Sequence, residues 1–430
     1  MYMERVLTAN APSGEYVRVG GFVENLRNKR YMAFIVLRDI SGKLQLTVDK
    51  GAYPDVAAEV DKLTVESVVT AYGKVVDNPA VKMGGREMVV EKLVVESVAE
   101  AMPMMADSSI DARLDYRWID LRTEKNKLMI KAQTEFVRSM RNFLLERDFV
   151  EIHTPKIIGA ASESGADVFE LTYFDRKAYL AQSPQFYKQM AMAAGLERIF
   201  EVGPVFRAEK SFTSRHATEF TCFDLEFSYI DSFEDVMHME ELLLQDALKN
   251  VAEKYGSEIE RLFGLKTVVP TVPFPRIKLH DLYDELEKRY GYTVPEEEKI
   301  DLSTDAEKLS YKFAMEEYGH EFLFVTDFPK DKRAFYHMRK DGVPQGYDLI
   351  WRGTEITTGA QREHRYEQLR RQADEKGLGE DVKFYMEFFR YGCPPHGGFG
   401  LGVDRMTMLL LDIGIKEAEF IFRSPIRLNP

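Results

Sequence analysis

One short segment of the chain gathers side chains that together could bind a polyphosphate and a purine base. Arg207 and Glu209 follow an apolar run, and Arg215, His216 and Phe220 come soon after them. The pattern predicts strand, loop and strand, with a guanidinium group available on each side. Such groups hold phosphate through paired hydrogen bonds, and an aromatic ring can stack on a base. Any one of these residues alone is more often part of a solvated loop or a core, but the combination favours a nucleotide site without a P-loop.

Two acidic residues further along the chain could hold a divalent cation against phosphates. Asp348 and Glu355 lie on either side of a predicted turn at 350–353. Carboxylates on facing strands suit Mg²⁺, which takes few protein ligands. Arg362 follows Thr358 and would need an anion if it were buried, although a surface arginine is the simpler alternative.

A glycine-rich stretch, 398–405, precedes an apolar run at 406–411. It matches a dinucleotide-binding loop only superficially, because no clear strand precedes it and no acidic residue follows at the expected distance. Glycines here would let the backbone approach a flat ligand, and Arg405 would begin a helix that points at phosphates. Elsewhere, Glu163 could pair with an ammonium group and Lys188 with a carboxylate, although a helix lysine is usually solvated. The histidines show no metal-ligand spacing, so we expect no transition-metal site.

These residues must be positioned by two kinds of structure. Residues 15–99 alternate in the manner of short strands, at 16–19, 33–37, 44–48, 65–72 and 88–95, with one helix at 52–63. Five strands and one helix predict a small closed barrel of the OB type, and a β-sandwich is the competing interpretation. The remainder mixes helices and strands: helices at 126–146, 185–195 and 233–254, and strands at 149–152, 199–206 and 221–230. Successive strands joined by short loops imply antiparallel pairing, so we predict an α+β fold rather than a doubly wound one.

Composition narrows the class of protein. The chain has 430 residues, 45% hydrophobic, with a formal net charge of -13, which argues against non-specific coating of nucleic acid. Its two cysteines lie far apart, so we expect neither a disulfide framework nor a cysteine-rich zinc site. No secretory signal or membrane-spanning run is visible, and we expect a cytoplasmic enzyme with no membrane partner.

With these motifs in order along one chain, the sequence resembles the class II aminoacyl-tRNA synthetases. Within subclass IIb it is similar to the aspartyl-tRNA synthetases of archaeal and eukaryotic type. The helix and strand that end at Pro155 look like motif 1, which builds a homodimer in that family. Residues 206–220 look like motif 2 and residues 398–405 like motif 3. The resemblance implies an OB-fold anticodon-binding domain at 1–102, a hinge at 103–127 and a class II antiparallel-sheet catalytic domain at 128–430.

The resemblance also implies a role for individual residues. It implies tRNA, ATP and L-aspartate as partners, Mg²⁺ as cofactor, and catalytic roles for Arg207, Glu355 and Arg405. The implied ATP-binding residues are Arg207, Ala208, Glu209, Arg215, His216, Ala217, Phe220, Glu355, Gly402, Val403, Asp404 and Arg405. The implied aspartate-binding residues are Glu163, Gln185, Phe186, Tyr187, Lys188, Arg207, Asp224, Thr358 and Arg362. The implied Mg²⁺ ligands are Glu355, Thr358 and Asp348, and the implied anticodon-binding residues are Arg27, Phe34 and Gln45.

Amino-acid choice depends on the charge near the side-chain subsite. Lys188 and Arg362 would present two positive charges, which favours aspartate over asparagine because an unpaired buried cation is costly. An asparaginyl-tRNA synthetase, a non-charging tRNA-binding paralogue and an adenylating amidation enzyme are the alternatives. Glu24 and Met83 depart from residues common in this family, which leaves open whether tRNA(Asn) is aspartylated along with tRNA(Asp). Phe34 could instead be part of the barrel core.

Overall fold

The computed structural model describes residues 3–105, 107–159, 168–209, 217–378 and 382–430. The chain separates into two compact units, residues 1–108 and 109–430. The division falls within the 103–127 segment, whose C-terminal part forms short helices of the second unit. Within the described ranges, no helix is both long enough and apolar enough to cross a membrane.

The N-terminal unit is a closed five-stranded β-barrel, as the strand pattern predicted. Its elements are β1 (Tyr16–Asn28), β2 (Met32–Arg38), β3 (Lys43–Asp49), α1 (Pro54–Val60), β4 (Val68–Asp77) and β5 (Arg86–Ser97). The strand order is β1-β2-β3-β5-β4, and only the β3–β5 pair is parallel. Alternate apolar residues on each strand fill the barrel, so closure buries one face of every strand. The β-sandwich alternative is therefore wrong.

The second unit is built around an eight-stranded sheet of order β12-β13-β16-β17-β18-β11-β10-β6. Its six central strands pair antiparallel, as predicted, and only the edge pairs β12–β13 and β10–β6 are parallel. The strands are β6 (Val150–Glu151), β7 (Ile157–Ile158), β8 (Glu170–Tyr173), β9 (Arg176–Leu180), β10 (Arg198–Phe206), β11 (Glu219–Ser228), β12 (Arg276–Lys278), β13 (Phe322–Thr326), β14 (Arg339–Lys340), β15 (Val343–Pro344), β16 (Gly346–Trp351), β17 (Thr354–Arg362) and β18 (His396–Gly402). Strands β7, β9 and β8 form a small separate sheet, and β14 and β15 pair with each other.

Two long helices cover one face of the large sheet. The helices are α2 (Ile110–Asp115), α3 (Arg117–Asp120), α4 (Glu124–Leu145), α5 (Gln185–Ala193), α6 (Phe233–Phe263), α7 (Leu279–Tyr290), α8 (Thr304–Tyr318), α9 (Tyr366–Glu375), α10 (Lys383–Glu387), α11 (Val403–Leu411) and α12 (Ile415–Ala418). The long helices α4 and α6 pack against each other and against apolar side chains of the sheet, such as Phe223, Leu225 and Leu401. On the other face, α7 and α8 pack against β13 and β16, and polar groups lie along β11, β17 and β18.

Helix α6 is longer than its sequence indicated. The predicted helix ended at Lys254, just before Tyr255 and Gly256, which have lower helix propensity. The helix instead continues to Phe263 with Ile259 fully buried, and it ends at Gly264, whose φ of 74° is left-handed. Packing of the last turns therefore outweighs the local propensity, and the left-handed glycine ends the helix.

Candidate active site

The free face of the sheet carries the functional side chains because strand residues alternate between faces. On β11, Phe220, Cys222 and Asp224 point to the side opposite α4 and α6, while Phe223 and Leu225 join the core. Together with side chains from β10, β17 and β18 they line a cavity of about 330 Å³. Because strand side chains alternate between the two faces of the sheet, residues of separate motifs lie together in one site.

The structure brings most of the predicted residues of the second unit together. Those that line the cavity are Gln185, Arg207, Glu209, Ala217, Phe220, Asp224, Glu355, Thr358, Arg362, Gly402, Asp404 and Arg405. Ala208, Phe186, Tyr187, Lys188, Val403 and Asp348 do not line it. Phe186 stacks on Tyr385 with ring centroids 4.3 Å apart, within an apolar cluster. Glu163, Arg215 and His216 lie outside the described residues.

One end of the cavity is suited to a nucleotide. The Arg207 guanidinium lies 5.4 Å from the centroid of the Phe220 ring and 3.7 Å from the Glu209 carboxylate. From the first turn of α11, Arg405 donates to the backbone carbonyl of Glu355 at 2.7 Å. A stacking surface on β11, a carboxylate and a guanidinium group in the segment that follows β10, and a second guanidinium group on α11 therefore converge at this end.

Two carboxylates and a hydroxyl meet beside this end. Thr358 Oγ1 donates to Asp348 Oδ1 at 2.9 Å and lies 3.2 Å from Glu355 Oε1. Burial raises the pKa of Asp348 to about 6, with the charge of Glu355 adding and that of Arg333 opposing. These hard oxygen donors and their excess negative charge fit a Mg²⁺ ion that keeps most of its ligands as water or phosphate. No cluster of three or more His, Cys, Asp or Glu side chains is arranged for metal binding within the described chain.

At the other end lies a buried ion quartet, made of Lys188, Asp224, Glu226 and Arg362. Lys188 Nζ is 2.9 Å from Asp224 Oδ1 and 3.4 Å from Glu226 Oε2. Arg362 Nε donates to Glu226 Oε1 at 2.9 Å. Burial alone would raise the pKa of Glu226, but Arg362 and Lys188 outweigh it and hold that pKa below its ordinary value. The expectation of two unpaired cations is therefore wrong, because two carboxylates balance them.

The two cations of the quartet differ in what they can offer to a ligand. Lys188 is fully buried, and its ammonium group forms ion pairs with Asp224 and Glu226 and donates to the Phe399 carbonyl, 3.3 Å away. Arg362 lines the cavity, and besides Glu226 it donates to His337 Nε2, to Gln185 Oε1 and to the Gly398 carbonyl. Lys188 thus acts on the site through the carboxylates that it holds.

Two glycines of β18 are required by close approach of neighbouring groups. A Cβ atom at Gly398 would lie 2.0 Å from the Leu225 carbonyl oxygen, and one at Gly400 would lie 2.9 Å from Asp224 Oδ1. The stretch from 396 to 402 is itself a strand, and α11 follows it directly. The glycines therefore serve strand packing and access to the site rather than a dinucleotide-binding turn.

Several cavity residues were missed from the sequence. They include Cys222, Arg333, Tyr336, His337 and Glu419. For Cys222 a signal existed, because it lies between Phe220 and Asp224 in the two-residue period of β11. Arg333 and His337 precede the short strand β14 in a segment with no periodic pattern. Nε and Nη2 of Arg333 have no acceptor in the part of the chain that the structure describes.

The predicted anticodon residues lie on the outer surface of the barrel. Ala33 and Ile35 are fully buried, whereas Phe34 between them faces outward. The Arg27 guanidinium lies 5.4 Å from the centroid of the Phe34 ring. Gln45 donates to Glu87 at 2.8 Å. An outward ring beside a cation is suited to stacking on single-stranded RNA, and the interpretation of Phe34 as barrel core is wrong.

Comparison with known proteins finds a matching family model for each of the two units. Residues 109–420 match the model of the tRNA synthetases class II (D, K and N), and residues 17–96 match the OB-fold nucleic acid binding domain. The aspartate–tRNA(Asp/Asn) ligase of Aeropyrum pernix is 40% identical over 97% of this chain and 96% of its own length. The aspartate–tRNA(Asp) ligase of Pyrococcus abyssi is 40% identical over 97% of both chains.

Solved structures of similar fold cover the whole length of this chain. The asparaginyl-tRNA synthetase of Pyrococcus horikoshii with asparaginyl-adenylate is 32% identical, covers 100% of both chains and has a TM-score of 0.91. The aspartyl-tRNA synthetase of Entamoeba histolytica is 30% identical, with a TM-score of 0.86 over 100% of this chain and 93% of its own. From the matched family models and these relatives, the chain belongs to the class II tRNA synthetases of the D, K and N group.

Proposed function

We propose that this protein joins L-aspartate to tRNA(Asp) in an ATP-dependent reaction that passes through aspartyl-adenylate. Relatives that are 40% identical over nearly their full length carry this activity in their names. They differ in tRNA scope, because the Aeropyrum enzyme is named for both tRNA(Asp) and tRNA(Asn) and the Pyrococcus abyssi enzyme for tRNA(Asp) alone. Aspartate as the amino acid is therefore better supported than the range of tRNAs.

The observation that carries the proposal is the order of groups along β11. Phe220 lies at the nucleotide end and Glu226 in the ion quartet, and Arg207, directly after the neighbouring strand β10, lies near Phe220. Six strand residues span about 20 Å, enough for a base, a phosphate and an amino acid in a row. This arrangement supports an aminoacyl-adenylate site in which the amino acid binds near Arg362 and the base near Phe220.

In the first step, an oxygen of the aspartate α-carboxylate attacks the α-phosphorus of ATP. A bond forms between that oxygen and phosphorus, and the bond from phosphorus to the bridging oxygen of pyrophosphate breaks. No protein nucleophile is needed, so positioning and charge neutralisation provide the acceleration. Arg207 is suited to contact both the α-phosphate and the carboxylate, and Arg405 is suited to the outer phosphates.

In the second step, a hydroxyl of the terminal tRNA ribose attacks the aspartyl carbonyl carbon. The ester bond forms, the mixed anhydride breaks, and AMP leaves with the electron pair of that bond. The side chains of Phe34, Arg27 and Gln45 on the barrel would bind the anticodon. We assign anticodon binding to residues 1–102 and catalysis to residues 128–430, with 103–127 as the hinge.

Mg²⁺ belongs to the proposal as a cofactor. Glu355 and Thr358 would hold it with Asp348 beside them, and its charge would offset that of the phosphates. The buried carboxyl of Asp348, whose pKa burial raises to about 6, supports a cation at this place.

We also propose a homodimer in the cytoplasm. Leu145 at the end of α4, Val150 on β6 and Ile157 on β7 are about half exposed, at 53%, 49% and 49%. Apolar side chains grouped in the segment that resembles motif 1 support a second copy covering them. Sedimentation equilibrium gives the mass that tests this part.

ATP–pyrophosphate exchange that depends on aspartate tests the first step. We expect the wild-type protein to catalyse it and Arg207→Ala to lose about 2–4 kcal/mol of transition-state stabilisation, the cost of removing an oxyanion donor. Aminoacylation of purified tRNA(Asp) and tRNA(Asn), side by side, then measures the tRNA scope. Wild-type exchange rates in Arg207→Ala would contradict the assigned role.

Asparagine is the second candidate substrate, and a specific observation favours it. The ion quartet is neutral, so it does not by itself attract a carboxylate, and the structure is also closely similar to an asparaginyl enzyme. Exchange with asparagine and with aspartate at equal concentrations decides between them.

A further inference from the structure

A carboxyl group with an unused oxygen lies at the nucleotide end of the cavity. Glu419 lines the cavity together with Ala217, Phe220 and Ile415, yet its side chain is almost wholly buried, with 3% of the residue exposed. Its Oε1 atom has no hydrogen-bond partner within the described part of the chain. A buried polar atom without a partner is costly, and such an atom in the wall of a ligand cavity indicates a group of the ligand as its partner.

The backbone that carries Glu419 is fixed in place. Buried Arg117 donates to the carbonyl oxygens of Glu417 and Glu419, each at 2.7 Å, and to that of Phe420 at 3.2 Å. Three hydrogen bonds from one side chain leave this turn after α12 little freedom. The Glu419 side chain is therefore held ready before a ligand arrives, which is what a recognition group requires.

Burial and neighbouring charges keep Glu419 in its neutral form. Burial, the largest cause, together with the carboxylates of Asp404 on α11 and Glu219 on β11, raises its pKa to about 9. The backbone N–H of Arg423 and the charge of Arg117 oppose this only in part. A neutral carboxyl carries an O–H group and is a hydrogen-bond donor as well as an acceptor.

We propose that Glu419 is a specificity-determining residue that donates a hydrogen bond from its carboxyl group to an acceptor nitrogen of the purine ring of ATP. The proposal rests on the ATP site proposed above and adds a residue that reads the base from the side of α12. Phe220 would provide stacking, which every base accepts, whereas a donor at a fixed position distinguishes ring nitrogens that carry a proton from those that do not.

Nucleotide analogues combined with two variants test the proposal directly. Binding of ATP and of 1-deaza-, 3-deaza- and 7-deaza-ATP is measured by calorimetry, without amino acid or tRNA, in wild type, Glu419→Leu and Glu419→Gln. We expect Glu419→Leu to bind ATP about threefold to tenfold more weakly, as for one neutral hydrogen bond. One deaza analogue, the one that lacks the contacted nitrogen, should bind wild type and Glu419→Leu equally.

The glutamine variant and the pH profile separate recognition from support of the fold. An amide N–H replaces the O–H, so Glu419→Gln should keep most of the ATP affinity. Wild-type affinity should fall as the pH passes about 9, where Glu419 loses its proton, and that of Glu419→Gln should not. Glu417→Gln, two residues away and outside the cavity lining, is the matched control.

Two results would overturn the inference. Unchanged ATP binding by Glu419→Leu would show that no such bond forms. An equal loss for ATP and all three deaza analogues would show that Glu419 only supports the fold. A wild-type protein that binds ATP but shows no aspartate-dependent exchange would instead contradict the proposed function and leave the base contact standing.

Discussion

Changing the balance of charge in the ion quartet, which is neutral in the wild type, should change the preference for aspartate over asparagine. Lys188 and Arg362 carry two positive charges, and Asp224 and Glu226 carry two negative ones. Lys188→Met removes one positive charge, and Glu226→Gln removes one negative charge. The double variant is neutral again, like the wild type, so the series separates charge from shape.

The magnitude follows from Coulomb's law. A unit charge about 4 Å from a ligand carboxylate, in surroundings of effective dielectric constant about 20, contributes about 4 kcal/mol, or nearly a thousandfold. Water in the open cavity reduces this, so it is an upper bound. Lys188→Met should lower the ratio of kcat/KM for aspartate to that for asparagine, and Glu226→Gln should raise it. The double variant should return close to the wild-type ratio.

ATP–pyrophosphate exchange with each amino acid measures the ratio, and thermal unfolding is the necessary control. Breaking a buried ion pair costs about 3–5 kcal/mol of stability, so Lys188→Met should also melt at a lower temperature than the double variant. If the three variants alter the ratio in an order unrelated to their charge, the electrostatic account of selectivity is wrong. If Lys188→Met leaves both amino acids unaffected, the quartet has no part in substrate choice.

Two further predictions concern stability and tRNA binding. Burial raises the pKa of Glu240 to about 8, although Tyr347 and Thr357 donate to it at 2.6 and 2.5 Å. The folded state then keeps a proton that the unfolded chain releases above its ordinary pKa of 4.5, so stability falls as the pH rises from about 5 to about 8, by up to about 1.4 kcal/mol per unit. Glu240→Gln should remove this dependence, and melting curves across that range check it; parallel curves for the two proteins would refute it. Phe34→Leu should lower kcat/KM for tRNA by the equivalent of about 1–3 kcal/mol of stacking and leave pyrophosphate exchange unchanged, and equal losses in both assays would argue against anticodon contact.

Local patterns in the sequence were sufficient for the elements that carry the site. The apolar runs at 199–206 and 221–230 predicted β10 and β11, and the short connection between them predicted their antiparallel pairing. Both predictions depend on residues close together in the sequence, where the hydrophobic period and the turn residues indicate the structure. The burial of Ile259, beyond the predicted end of α6 at Lys254, could not be foreseen from the helix alone.

Pairings between distant residues could not be predicted in the same way. The partners Lys188 and Asp224 belong to α5 and β11, and Arg362 and Glu226 belong to β17 and β11. Nothing in their spacing indicates that four charges would cancel. A faint signal did exist in β11, since Glu226 continues the polar face begun by Asp224 and a buried carboxylate requires a cation.

The hydrogen bonds of Arg362 do not distinguish aspartate from asparagine, so we expect charge to be the main basis of the choice. Arg362 has acceptors for four of its five N–H groups among the described residues, namely Glu226, His337, Gln185 and the carbonyl of Gly398. A single remaining donor serves a carboxylate oxygen and an amide oxygen equally well. The overall fold is shared with an asparaginyl enzyme, so neither the fold nor this donor separates the two substrates. We therefore expect discrimination to depend on the electrostatic field of groups such as Lys188, which does not line the cavity and is paired with Asp224 and Glu226.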